Sequence, residues 1–164
     1  MANIERKRLA HYLDASFDST GNTPKYVRLG KDLDSYDLDL NPGVETKKNI
    51  WGETVVTHSG YEPQSDVDPY YAVEGDPLYE RLEAIANGRL TGDDCMTTVV
   101  DVMVDSKGKV SWAYREKVMV AVTKMGGDTS GVQLTFELHN AGERVRGNWD
   151  ITSKTFTELP SSEE

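Results

Sequence analysis

A single cysteine, Cys95, in 164 residues leaves no disulfide framework and fits a reducing or intracellular setting. Cys95 itself reads as a small buried or strand-edge residue rather than a nucleophile. No apolar run reaches the roughly 18 residues of a transmembrane span. The basic Arg6-Lys7-Arg8 has no apolar stretch behind it, so no signal peptide is expected. Histidine is scarce, and His11, His58 and His139 stand at no ligand spacing to one another or to Cys95, so no zinc site is expected. The acids Asp32, Asp34, Asp37 and Asp39 suggest a calcium loop. However, the loop needs glycine at position 6 and glutamate at position 12, where this chain has Asp37 and Gly43. The glycine-rich run Gly126 to Gly131 lacks the following Lys-Ser/Thr of a phosphate loop and the serine of a nucleophile elbow, and reads as a hairpin turn. No catalytic motif, cofactor site or metal site is expected, and the chain does not read as an enzyme.

Bases are also short: 18 Lys and Arg against 28 Asp and Glu leave a net charge of −10. Residues 31–94 hold 15 acids and 5 bases, and the remainder holds 13 of each, so the whole excess sits in one stretch. Such a surface repels nucleic-acid phosphate, which speaks against DNA reading or packaging. A plainer reading of the acidity is solubility. The length suits one domain with one real core.

Much of the chain alternates with a period of two. Tyr36, Leu38 and Leu40 oppose Ser35, Asp37 and Asp39, which predicts an acidic, half-buried strand over Leu33 to Leu40. Asn41-Pro42-Gly43 marks a turn. Val44 to His58 reads as a hairpin or long loop standing off the body, broken at Trp51-Gly52. Tyr61 to Val73 reads as extended. Asp76 is a good N-cap, Pro77 suits the first helical turn, and Leu78, Leu82 and Ile85 form one apolar stripe, so residues 77–87 are predicted helical with a stop at Gly88. Strands are predicted at Tyr26 to Leu29, Met96 to Val104, Ser111 to Lys124, Val132 to His139, Arg144 to Ile151 and Thr155 to Leu159. Residues 1–25 read as an N-terminal arm, in which Leu9, Ala10, Tyr12 and Leu13 suit a short strand as well as a helix, and 160–164 as a frayed tail. The sum is a mainly β fold: an antiparallel β-sandwich or barrel, one flanking helix and a long extended arm or hairpin. Its sheet edges would need covering, which assembly could supply.

The order of these features resembles the tail tube proteins (major tail proteins) of long-tailed bacteriophages and prophages of Gram-positive bacteria. The resemblance spans roughly Arg8 to Thr157. It rests on Leu29-Gly30, the acidic stretch, Asn41-Pro42, the charged arm, Gly60-Tyr61-Glu62-Pro63, the helix after Gly75-Asp76-Pro77, Gly147-Asn148-Trp149 and Thr155-Phe156-Thr157. It implies a structural virion protein whose hexameric rings stack into a tube, assembled in the bacterial cytoplasm, with an acidic lumen through which phage DNA passes without specific binding. The implied partners are the chain itself, a tape measure protein, a tail terminator and distal tail or initiator proteins, with no membrane. Within that picture Asp37, Asp39, Asp66 and Asp68 are the lumen candidates. Val44, Lys47, Lys48, Trp51, Val55 and His58 mark the candidate ring-to-ring arm.

Two other readings remain open. One is the inner tube of a contractile tail or a tail-like bacteriocin. The other is a β-sandwich ligand- or carbohydrate-binding module, with Trp51, Tyr70, Tyr71 and Trp112 as its aromatic platform.

Overall fold

The computed structural model describes residues 2–17, 23–31, 33 and 35–159. In chain order the strands are β1 (Leu9–Asp14), β2 (Tyr26–Leu29), β3 (Leu38–Asp39), β4 (Pro42–Lys48), β5 (Thr54–Tyr61) and β6 (Gln64–Tyr71). The helix α1 (Pro77–Gly88) follows, then β7 (Met96–Val104), β8 (Val110–Asp128), β9 (Gly131–Asn140), β10 (Val145–Asp150) and β11 (Thr155–Glu158). All pairings are antiparallel. The main sheet has nine strands, in the order β2-β1-β7-β8-β9-β6-β3 with β10 and β11 off that path; β4 and β5 form a separate two-stranded sheet. The mainly β architecture with one helix is therefore as the periodicity predicts. No helix among the described residues is long and apolar enough to cross a membrane.

The 19-residue β8 organises the body. Its first half pairs with β7, from Val110 to Met119, and touches β10 at Ala113 to Arg115 on its other edge. Its second half, from Val118, pairs with β9. One strand thus serves two wings, which fold over a shared core. Leu13 and Val99 come to that core from one wing, Val67, Leu134, Phe136 and Leu138 from the other, and Leu78 and Leu82 from α1. A second cluster on the far face of β1 and β7 joins Tyr12, Tyr26, Val100, Val102, Ala113 and Trp149 under the β10–β11 hairpin. Each fully buried Leu, Val or Phe contributes roughly 1.5–3 kcal/mol by leaving water. Gly147 lets the hairpin close: a Cβ there would lie 2.3 Å from Phe156 Cζ and 2.4 Å from the Thr157 carbonyl oxygen.

The helix is capped as expected, with Leu78 N–H donating to Asp76 Oδ1 at 3.0 Å. Leu78, Leu82 and Ile85 are its buried residues. Its end differs by one residue: Gly88 stays helical and Arg89 takes the left-handed conformation, φ 48°.

Three expectations need correction. The acidic strand predicted over Leu33 to Leu40 shrinks to Leu38–Asp39, paired with Ser65 and Gln64. Tyr36 is buried, but its carbonyl accepts from Arg6 Nη2 at 2.9 Å rather than from a strand partner. Leu40 turns outward, 48% exposed, because Asn41 takes a positive φ of 43° and redirects the chain into β4. Asp32 and Asp34 lie outside the described residues. The stretch read as an N-terminal arm supplies β1, which sits between β2 and β7 with Ala10 to Asp14 buried. Six residues that mix Leu, Ala and Tyr with His11 and Asp14 resemble a short tail in sequence and become central only through long-range pairing. The turn predicted from Gly126 narrows to Thr129 and Ser130, because Gly126, Gly127 and Asp128 still pair with β9. The tail read at 160–164 falls outside the described residues.

Candidate assembly surfaces

The β4–β5 hairpin is the most exposed element. Every residue of β4 is exposed, and in β5 only Val55 and Gly60 are partly covered. Its turn is nevertheless firmly built. Asn49 Oδ1 accepts from the Trp51 and Glu53 N–H groups, both at 3.0 Å, and the Asn49 N–H donates to the Glu53 carbonyl at 3.0 Å. These bonds present Ile50, wholly exposed, and Trp51, 80% exposed, as a fixed apolar tip. Paired residues share a face, so Val44, Thr46, His58 and Val56 line one side, and Glu45, Lys47, Thr57 and Val55 the other. The candidate arm residues are therefore on one element but not on one face: Val44, His58 and Lys48 oppose Lys47 and Val55, with Trp51 at the end.

The four lumen candidates are all exposed and come from two neighbouring strands and the segment before them. Asp39 pairs with Gln64 and Asp66 with Glu137. Asp37, Asp39 and Asp66 border a recess of about 340 Å³ with Asn41 and Gln64. Asp68 stands further along the same face of β6, where its Oδ1 accepts from Thr135 Oγ1 at 3.0 Å. The outer face of β3, β6 and β9 thus carries Asp39, Asp66, Asp68 and Glu137 together.

A buried charge network escaped sequence reading. Asp101 and Glu116 are each 7% exposed and His11 is 6% exposed. Arg144 Nη1 donates to Glu116 Oε1 at 2.7 Å and to Asp101 Oδ2 at 3.3 Å. Asn140 Nδ2 donates to Glu116 Oε2 at 2.7 Å. His11 Nδ1 lies 2.6 Å from Asp101 Oδ1, and Arg6 Nη2 lies 3.1 Å from His11 Nε2. A guanidinium can only donate, so Nε2 accepts and the proton sits on Nδ1, facing Asp101. The sole hint in sequence is Asp101 inside Val99-Val100-Asp101-Val102; nothing there names its partners, which come from β1, β8 and the loop before β10.

Burial raises the pKa of several groups, Cys95 and Tyr70 among them. Cys95 is buried, its Sγ donates to the Leu90 carbonyl, and burial raises its thiol pKa, which keeps it protonated. Tyr70 is held neutral first by burial and then by its short hydrogen bond to Asp76 Oδ2. Its ring packs against Phe136, at 5.8 Å between centroids, so it is turned into the core. Trp51 sits on the hairpin turn, and Trp112 lies beside Tyr114 on β8 with the two rings tilted by 60°. The aromatic residues proposed as one sugar platform are therefore spread over separate elements.

No family model matches the chain, and no curated protein matches it in sequence. Its fold does have counterparts among solved structures. The sheath/tube terminator of an extracellular contractile injection system (PVC, extended state) superposes with a TM-score of 0.54 at 8% identity, covering 90% of this chain and 99% of that one. The tube terminating cap of the anti-feeding prophage gives 0.56 at 11% identity, covering 89% and 91%. A chain of the PVC sheath-tube complex in its extended state gives 0.52 at 9% identity, covering 88% and 90%. At these identities the shared property is the fold.

Proposed function

We propose that this chain is a structural subunit of a phage-type tail, one that assembles into stacked hexameric rings forming the tube. The observation that carries this reading is an ordered hairpin that holds Ile50 and Trp51 in solvent on a body with the fold of tail-tube and terminator proteins. An isolated protein gains nothing by presenting a rigid apolar tip to water; a subunit that buries it against a neighbour does. Val44, Lys47, Lys48, Trp51, Val55 and His58 belong to the ring-to-ring contact. The acidic face with Asp39, Asp66 and Asp68, together with Asp37, lines the bore, where like charge keeps DNA from adhering. The chain acts by assembly rather than catalysis. Its partners are further copies, a tape measure protein, a terminator and distal tail proteins, and its place is the virion tail, after assembly in the host cytoplasm.

The structural neighbours come from contractile injection systems, which favours the contractile-type inner tube as the second reading over a tube of long-tailed phages of Gram-positive bacteria. Negative-stain electron microscopy of concentrated protein tests the common claim. Hollow tubes or stacked six-fold rings are expected, and a persistent monomer that binds glycans would overturn it. A sheath gene beside this one would decide between the two tails.

A further inference from the structure

The hairpin carries apolar surface at both ends. At the tip are Ile50 and Trp51; at the base are Leu40 and Tyr61, 48% and 60% exposed. The base residues border a recess of about 350 Å³ whose other walls are Pro63, Glu116, Gly142 and Arg144. Arg144 links the two observations. Its guanidinium is fixed by Asp101 and Glu116 and lies 4.5 Å from the Tyr114 ring centroid, yet the side chain keeps 34% exposure at the recess. A buried acid pair is weak as a source of stability. It is well suited to holding one cation in a set orientation at the surface.

A pocket with apolar walls and a fixed guanidinium matches an indole, the ring with the strongest cation–π attraction. The chain has one indole presented in this way, Trp51. It cannot reach the recess of its own molecule, because tip and base are opposite ends of one hairpin. A seven-residue strand such as β4 keeps them roughly 23 Å apart. Charge agrees. Lys47 and Lys48 flank the tip, Glu62 and Glu143 flank the recess, and none of the four is in an ion pair with another described residue.

We infer that the Ile50–Trp51 tip of one copy inserts into the Leu40–Tyr61–Arg144 recess at the hairpin base of the next. Because donor and acceptor surfaces differ, the contact is heterologous and propagates from copy to copy rather than closing a dimer. This rests on the self-assembly proposed above and names its contact. Trp51 and Arg144 are its central pair. Asn49 acts through the turn, by fixing the tip before binding.

Two chains, Ile50→Cys and Leu40→Cys, each with one added exposed cysteine beside the buried Cys95, are mixed and oxidised. A mixture of Ile50→Cys with Lys107→Cys, on the exposed β7–β8 turn, is the control. Heterodimer formation at least tenfold above the control is expected. In wild-type background, Trp51→Ala is expected to weaken self-association by at least about tenfold, the loss of a tryptophan hot spot. Because Trp51 touches solvent, folding is unaffected, and circular dichroism checks that. Rings or tubes by microscopy without the selective crosslink overturn this contact and leave the tube reading standing. The crosslink without rings or tubes upholds the contact and overturns the tube. Neither crosslink nor assembly in concentrated protein overturns both.

Discussion

The body and the β4–β5 hairpin are built from the same backbone pattern and held by different forces. In the body, strands are stabilised by what they bury: Phe136, Leu134 and Leu138 on β9 are 0–1% exposed. In the hairpin, almost nothing is buried, and order comes from the ladder and from the Asn49 turn. A lone two-stranded hairpin is marginal in water. A chain that keeps one, with an apolar tip, has put its stability in one region and, in the assembly proposed above, its contact surface in another.

This separation can be tested by perturbing each region in turn. The largest effect belongs to the core. Phe136→Ala removes a fully buried ring between the two wings and is expected to cost about 3–5 kcal/mol, read from urea unfolding. A loss below 1 kcal/mol would mean that the wings do not share one core. Next is the link between β6 and α1. Tyr70→Phe deletes a hydrogen bond to the Asp76 carboxylate and is expected to cost about 1–3 kcal/mol at neutral pH. The raised pKa of Tyr70 sets the sign with pH. Its stabilisation is complete below the unfolded value near 10 and is lost as pH rises through the folded value, so wild type and variant should converge above pH 10. Tyr36, raised mainly by burial, adds to the alkaline loss in both. Smallest is the tip. Replacing residues 49–53 by Asn-Gly is expected to leave body stability within about 0.5 kcal/mol while abolishing self-assembly. A large drop in the unfolding midpoint would show that the hairpin is part of the body after all.

The hairpin was readable because its signals are local. Asn41, the Trp51-Gly52 break and the β-branched run after it fall within twenty residues. The helix was readable for the same reason: its cap, its first-turn proline and its apolar stripe are contiguous. The Leu33–Leu40 stretch failed because alternation reports only which side a residue would face if paired. Whether a partner strand runs alongside is a separate fact, and β6 reaches only two of those residues. β1 is ambiguous in sequence for a different reason: six residues give too little periodicity to separate a short strand from a helix or to reveal that two partners flank them.

Composition and order alone determined the mainly β class, the capped helix, the protruding hairpin and the concentration of acid in residues 31–94, because each depends on near neighbours in the chain. The tertiary structure decided what distance along the chain conceals. It placed Asp39, Asp66, Asp68 and Glu137 on one outer face through register. It brought His11, Asp101, Glu116 and Arg144 together across spans of up to 133 positions. It also set a fixed cation beside an apolar recess: the pairing of β8 with β9 and of β9 with β6 brings Leu40, Tyr61 and Pro63 next to Glu116 and Arg144.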